Sequence, residues 1–346
     1  MTHSTIVRAI MESVADQHIR NIREDPKRTI RRMVDLGGQF SRGRFQQQFF
    51  RLGQQMLKNE DSPYYGMIQE TAAQAASETL KRFCINIGYE SWTCGASMIR
   101  EREREAGYQI PWSVTFHLSG GPEPLPMAEY RRVVEEGKDL GIFTYFFDLG
   151  MRGAWLTDLL ELADTQPRCA FIIFLAPGVA TPEAMRVLAS RHNVMISVEA
   201  GRPGWREALA GLAEQGCLCA LHRTYGSAAE AEEITSGAWP EEVGKQSCSF
   251  AFCIGTGSCP EESLRRVTEY VQEQRIHPKH PVFLIDYYAD HLRIDQIISD
   301  ESCFLGVRED GTLTCASGAG EAPTAQRIQD GPLEELLKRH PHLPKG

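Results

Sequence analysis

The chain is 346 residues long, 42% hydrophobic and 24% charged, with a net charge of -9, a composition that excludes disorder and allows a large buried core. The negative balance argues against general nucleic-acid binding, although the first sixty residues carry about +5 and leave the remainder acidic. No apolar window approaches the ~20 residues needed to span a bilayer, the opening MTHSTIVRAI lacks the order of a signal peptide, and ten cysteines are too dilute for a disulfide scaffold. The expectation is a cytoplasmic protein with most thiols buried, no membrane partner and no nucleic-acid partner.

Residues 1–107 read as a helical module. Helices are predicted at Ile6 to Arg23, at Pro26 to Leu36 with proline in the first turn, at Arg44 to Lys58 and at Tyr64 to Lys81. Phe83 to Tyr89 reads as a short connection, and Met98 to Glu105 as a charged helix stopped by Gly107. The basic run Lys27, Arg28, Arg31 and Arg32, with Arg42 and Arg44, reads as a solvated helix face, the alternative being an anion-binding face.

From Trp112 the pattern changes to short apolar, β-branched and aromatic runs, each followed by a helical period. Strands are predicted at Trp112 to Leu118, Phe143 to Asp148, Cys169 to Leu175, Val194 to Glu199, Cys217 to His222 and Cys248 to Ile254. They recur at roughly 25 to 30 residues, the length of a βα pair with short loops. Each is apolar along its whole length, as burial on both faces requires. Right-handed crossovers bend such a series into a partial (β/α)6 barrel over residues 108–277, with any site at the carboxyl ends of the strands. A seventh strand at Val282 to Tyr287 opens a C-terminal α+β segment, 278–346, with a strand pair turned at Asp310-Gly311 and a closing helix at Leu333 to Arg339.

The phrases FCINIGYESWTCGASMIRE, GYQIPWSVTF, HPVFLIDYYAD and CFLGVREDGTLTC, in that order around six βα units, resemble bacterial radical SAM proteins with a SPASM-like C-terminal segment. That resemblance implies a loop after the first strand bearing CxxxCxxC, whose thiolates hold a [4Fe-4S] cluster that binds S-adenosylmethionine. Here the first strand runs into Ser119-Gly120-Gly121-Pro122-Glu123 without a cysteine. The Gly-Gly-Glu motif that the family places after its second strand, to hold the amino end of S-adenosylmethionine, is replaced by Asp148-Leu149-Gly150-Met151-Arg152-Gly153. The resemblance is therefore to a degenerate member. No cofactor and no S-adenosylmethionine are expected, the alternative being an iron-sulfur cluster on scattered cysteines, with Cys259, Cys303 and Cys315 as metal-ligand candidates.

The remaining chemistry sits at the strand ends: His117, Asp148 with Arg152, Glu199 with Arg202, His222-Arg223 with Tyr225, and Asp286-Tyr287-Tyr288 with Asp290 and His291. Asp148, Arg152, Glu199, Arg202, His222 and Arg223 are the ligand-binding candidates, since guanidinium and imidazole groups around one opening clamp an anion or orient a peptide. No triad or P-loop spacing singles out a catalytic residue. The expectation is a non-catalytic binding or partner protein for a peptide, a protein or a small ligand, the alternative being a non-radical barrel enzyme using strand-end acid/base groups.

Overall fold

Ten strands form one sheet in the computed structural model, which describes residues 3–41, 43–121, 123–299, 301–316 and 320–340. Arg42 of the basic run and Pro122 of the Gly-Gly-Pro-Glu string lie outside the described residues. The strands are β1 Ser113–His117, β2 Thr144–Gly150, β3 Ala170–Leu175, β4 Val194–Glu199, β5 Leu218–Tyr225, β6 Phe250–Gly255, β7 Phe283–Asp286, β8 Leu305–Val307, β9 Thr312–Ala316 and β10 Glu321–Arg327. Their order is β10-β9-β8-β1-β2-β3-β4-β5-β6-β7. From β8 through β7 the pairs are parallel, while β9 and β10 pair antiparallel.

The sheet curls into a half-barrel. Across four strand spacings of about 4.8 Å a flat sheet would hold β2 and β6 some ~19 Å apart. The rings of Phe146 on β2 and Phe252 on β6 instead meet at 6.5 Å between centroids. The expected partial (β/α)6 barrel is thus present, continued by β7 and by β8 from the tail.

Both faces are covered, which is why β3 is buried at every residue. On the convex face Phe116, Tyr145, Phe147 and Phe171 stack across β1, β2 and β3, and Tyr130 from helix Met127–Leu140 meets Phe116 edge-on at 5.4 Å. The concave face is filled by helix Tyr287–Ile298. Its first turn lies near the mouth, where Tyr287 and Thr115 share a hydroxyl hydrogen bond of 2.6 Å. Its far end lies at the base, where the buried Asp295 carboxylate accepts from the Trp112 backbone N–H at 3.0 Å.

Three local expectations are corrected. Tyr64 to Lys81 is two helices, Tyr64–Gln74 and Ser77–Ile85, because the Ala76 N–H leaves the helical ladder to donate to the Gly216 carbonyl. Phe83 to Tyr89 is not a connection: the chain stays helical through a π-helix, Asn86–Gly95, into Ala96–Ala106. That segment buries Glu90, which accepts from Arg8 and from Arg168, and Asn86, which donates to the Pro167 and Cys169 carbonyls. The tail also carries a third strand, β10. Its sequence EAPTAQR has Pro323 in the middle, suits only an edge, and pairs with β9 through a register shift.

Two residues of the basic run make structural contacts. Arg31 donates to Tyr65 Oη and to Glu60, and Arg44 donates to carbonyls at the C-terminal end of Tyr287–Ile298, the plug helix of the half-barrel, where a cation complements the helix dipole. Among the described residues no helix is long and apolar enough to cross a membrane.

Candidate functional site

Alternate residues of a strand share a face, so Ser113, Thr115 and His117 of β1 face the concave side with Tyr287. The register sets His117 beside Asp148 of β2. Asp148 accepts from Ser119 Oγ, and Arg152 donates to the Gly120 and Gly121 carbonyls at 3.2 and 2.9 Å. The end of β2 therefore straps down the turn after β1. Gly150, with φ +49°, permits this, since a Cβ there would come within 2.7 Å of the Ser119 side chain.

His117 itself is held from the other side. Its Nε2 lies 2.8 and 2.9 Å from the two carboxylate oxygens of Glu321 on β10. Tyr288 Oη donates to Glu321 at 3.1 Å and Thr314 Oγ1 donates to its other oxygen. Gly306 makes the reach across β8 and β9 possible: it pairs with Thr115 on the concave side, and a Cβ there would overlap both Thr314 Oγ1 and the Glu321 carboxylate.

The electrostatics follow from this packing. Burial alone would lower the His117 pKa, but the charge and hydrogen bond of Glu321, with Asp148 and Glu309 behind, raise it above the ordinary imidazole value. Burial alone would raise Glu321, but His117, Thr314 and Tyr288 together lower it. An imidazolium–carboxylate pair is the consistent state. His117 remains 25% exposed while Glu321 is 8% exposed, so the pair opens to the mouth through the imidazole.

The six predicted ligand-binding residues are not brought together around one opening. Asp148 and Arg152 secure the turn, and Glu199 pairs with Arg202 at 2.5 Å on the rim. His222 is buried, 3.1 Å from Ser197 Oγ and with its ring tilted against Phe174 at 4.9 Å between centroids, and burial pushes its pKa down to about 3. Arg223, one residue on, faces the convex side and pairs with Glu233 at 2.6 Å. Tyr225 is buried. Asp286 caps the plug helix and takes the Thr268 hydroxyl, burial pushing its pKa up to about 6. Asp290 pairs with buried Arg275 at 2.7 Å, and His291 lies in the ring core with its pKa pushed down to about 4 by burial.

The donors present do not fit an iron-sulfur cluster at the expected loop, which has no thiol. Among the described residues no group of three or more His, Cys, Asp and Glu is placed to hold a metal ion. Burial holds the Cys303 thiol well above its ordinary pKa, Cys315 Sγ sits 3.8 Å from the Ala322 carbonyl and Cys259 Sγ 3.9 Å from that of Ser227.

Sequence reasoning missed Glu321 and Glu309. Neither lies on a predicted concave strand face, and a lone glutamate in an edge strand interrupted by proline carries no signal of burial.

No family model matches the chain, and no curated protein matches it. Among solved structures it is similar to Streptococcus suis SuiB bound to the precursor peptide SuiA and to SuiB alone, each with 12% identity and a TM-score of 0.48 over 68% of this chain and 67% and 68% of those chains. SuiB bound to S-adenosylmethionine aligns at 11% identity and a TM-score of 0.46, covering 68% of this chain and 66% of that one. The S-adenosylmethionine in that neighbour corrects the expectation of no cofactor, which is withdrawn. A missing cysteine loop bears on one cluster, not on every group that a half-barrel mouth can hold.

Proposed function

We propose that the chain is a binding protein on a radical SAM-like half-barrel, taking a peptide or small ligand at the mouth rather than carrying out radical chemistry inside the barrel. One observation carries this reading. The concave face is occupied by Phe146, Phe174, Phe252, Tyr287 and His291, packed ring against ring, while polar side chains gather above them at the strand ends. A filled interior leaves the rim as the surface on which a ligand is read. The ten cysteines, all unpaired, support a reducing, cytoplasmic setting.

The test is a thermal-shift screen of the full chain against short peptides and metabolites, since a ligand that binds only the native state raises its melting temperature. Responses that disappear in His117→Ala support the rim. Formation of 5'-deoxyadenosine after anaerobic reconstitution with iron, sulfide and S-adenosylmethionine would overturn the reading.

A second reading is favoured by the His117–Glu321–Tyr288 cluster. An imidazole oriented by a carboxylate beside a phenol is suited to proton transfer. Turnover of a bound ligand that His117→Gln abolishes without weakening binding would select it.

A further inference from the structure

We infer that the N-terminal helices carry a second binding site, a basic groove along helix Pro26–Phe40 that takes an acidic peptide segment with carboxylates two residues apart and an apolar side chain between them. The groove belongs to the helical module and shares no residue with the mouth.

It runs along helix Pro26–Phe40 to the loop that follows helix Arg44–Met56. One part, about 740 Å³, is lined by Lys27, Arg28, Arg31 and Arg32 with Leu36. The adjoining part, about 290 Å³, adds Val34, Leu57 and Lys58, and the two meet at Arg31, Asp35 and Glu60. The volume is in the range of ligand-binding clefts.

The anions of the groove are engaged, but most of its cations are not. Asp25 caps the helix by accepting from the Arg28 backbone N–H at 3.3 Å, Asp35 takes the Gln54 amide at 3.0 Å, and Glu60 takes the Arg31 guanidinium at 3.0 Å. Arg28, Arg32 and Lys58 are exposed, and among the described residues no hydrogen bond or ion pair reaches their cationic groups. Lys27 lies 3.9 Å from Asp61, and both are exposed. Burial and then the charge of Arg32 lower the pKa of His18 on the preceding helix, as a positive field without a counterion would.

Charge and spacing choose the partner. Arg28 and Arg32 stand one helical turn apart, about 6 Å along the axis, close to the ~7 Å between alternate residues of an extended chain. Each guanidinium can hold a carboxylate through two parallel N–H donors. Leu36, 36% exposed, lies one turn further on, with Val34 and Leu57 in the adjoining part, and gives an apolar side chain a surface to cover. The whole chain carries -9 against about +5 in its first sixty residues, and Asp25, Asp35 and Glu60 sit within the groove itself. That acidic surround repels a polyanion that must meet the whole face, whereas a short acidic segment can meet the arginines alone.

The probe is fluorescein-labelled Gly-Asp-Leu-Asp-Leu-Asp-Gly, followed by anisotropy as the full chain is added, beside its asparagine counterpart, a polyuridine oligonucleotide and phosphatidylserine vesicles. The acidic peptide is expected to bind, and added salt to weaken it. Arg28→Gln with Arg32→Gln should weaken it roughly tenfold, the worth of two exposed ion pairs. Arg265→Gln with Arg266→Gln removes the same charge from helix Glu261–Ile276, outside the groove, and should leave binding unchanged. All four residues are exposed, and melting curves check that both variants fold. No binding of the acidic peptide, equal binding of the asparagine peptide, equal weakening by the two double variants, or binding of RNA or vesicles without the peptide would overturn the inference. So would self-association that Arg28→Gln with Arg32→Gln abolishes while no peptide binds, which would assign the groove to a second copy of the chain.

Discussion

The interior of the half-barrel and its mouth are built from the same strands, yet they are held together by different physics. A few residues along β2, Phe146 is locked among Phe174, Tyr287 and His291, while Asp148 two positions on shares a hydrogen bond with a turn. The interior is a dry stack in which each ring excludes water from the next, and His222 and His291 inside it are kept neutral by burial. The mouth keeps its groups charged by pairing them. The lesson is that position along the strand, not membership of the concave face, separates packing from chemistry: His117 ends β1 and meets a carboxylate that outweighs its burial, whereas His222 lies three residues before the end of β5, against Phe174.

The largest effect is expected from breaking the interior. Phe174→Ala removes a ring that touches Phe146, His222, Phe252 and Tyr287 at once, and should cost about 3 to 5 kcal/mol. Denaturant unfolding measures it. A variant as stable as the parent would mean that the rings do not bear on one another, and that the contrast with the mouth is false.

Next comes the pair at the mouth. Glu321→Gln should cost about 2 kcal/mol near pH 6, since a hydrogen bond between charged partners is lost from a site mostly out of water. The sign with pH is fixed by the two shifts. His117, raised in the fold, contributes stability that is fully present below the ordinary imidazole pKa and is lost as pH rises through its folded value. Glu321, lowered in the fold, contributes stability present above the ordinary carboxylate pKa and lost as pH falls through its folded value. The difference between parent and variant should therefore be greatest between the carboxylate and imidazole ranges and shrink on both sides. A difference independent of pH would show that the glutamine disturbs packing, not charge.

Much of the interior was legible in the sequence, because a strand covered on both faces must be apolar throughout, and runs such as Ala170–Leu175 have no other solution. The alternation rule also sets His222 and Arg223, which are consecutive on β5, on opposite faces, so they do not point across one opening. The π-helix was hidden because Asn86-Ile87-Gly88 reads as a break when its tertiary partners, Arg168 and the Cys169 carbonyl, are out of sight. Glu321 and Glu309 were illegible for a deeper reason. Their role depends on β8 docking beside β1 across nearly two hundred residues of chain, and no local pattern encodes that pairing.

Gly306→Ala sharpens the contrast at a similar cost. The new methyl group meets the ends of two side chains, Thr314 and Glu321, and by displacing the carboxylate it should cost the fold about as much as Glu321→Gln, roughly 2 kcal/mol. The carboxylate should then move off His117, and the imidazole pKa should fall, as a proton NMR titration of the His117 ring would record. An unchanged titration with an intact fold would show that Glu321 does not depend on the gap left by the glycine.

The smallest effect is expected where the sequence placed the ligand clamp. Arg202 is about half exposed and pairs with Glu199 on the rim, and Arg223 pairs with the exposed Glu233 on the convex side. Exposed ion pairs contribute roughly 0 to 1 kcal/mol, so Arg202→Ala and Arg223→Ala should each melt close to the parent. Their ligand responses should differ, however. Arg223 lies on the other side of the sheet from the mouth, and its loss should leave every thermal-shift response intact. Arg202 stands on the rim with Glu199, and its loss frees that carboxylate, which should strengthen binding of a cationic peptide and weaken any anionic ligand. If Arg223→Ala abolishes a response that Arg202→Ala preserves, the ligand is read on the convex side and the mouth is not the site.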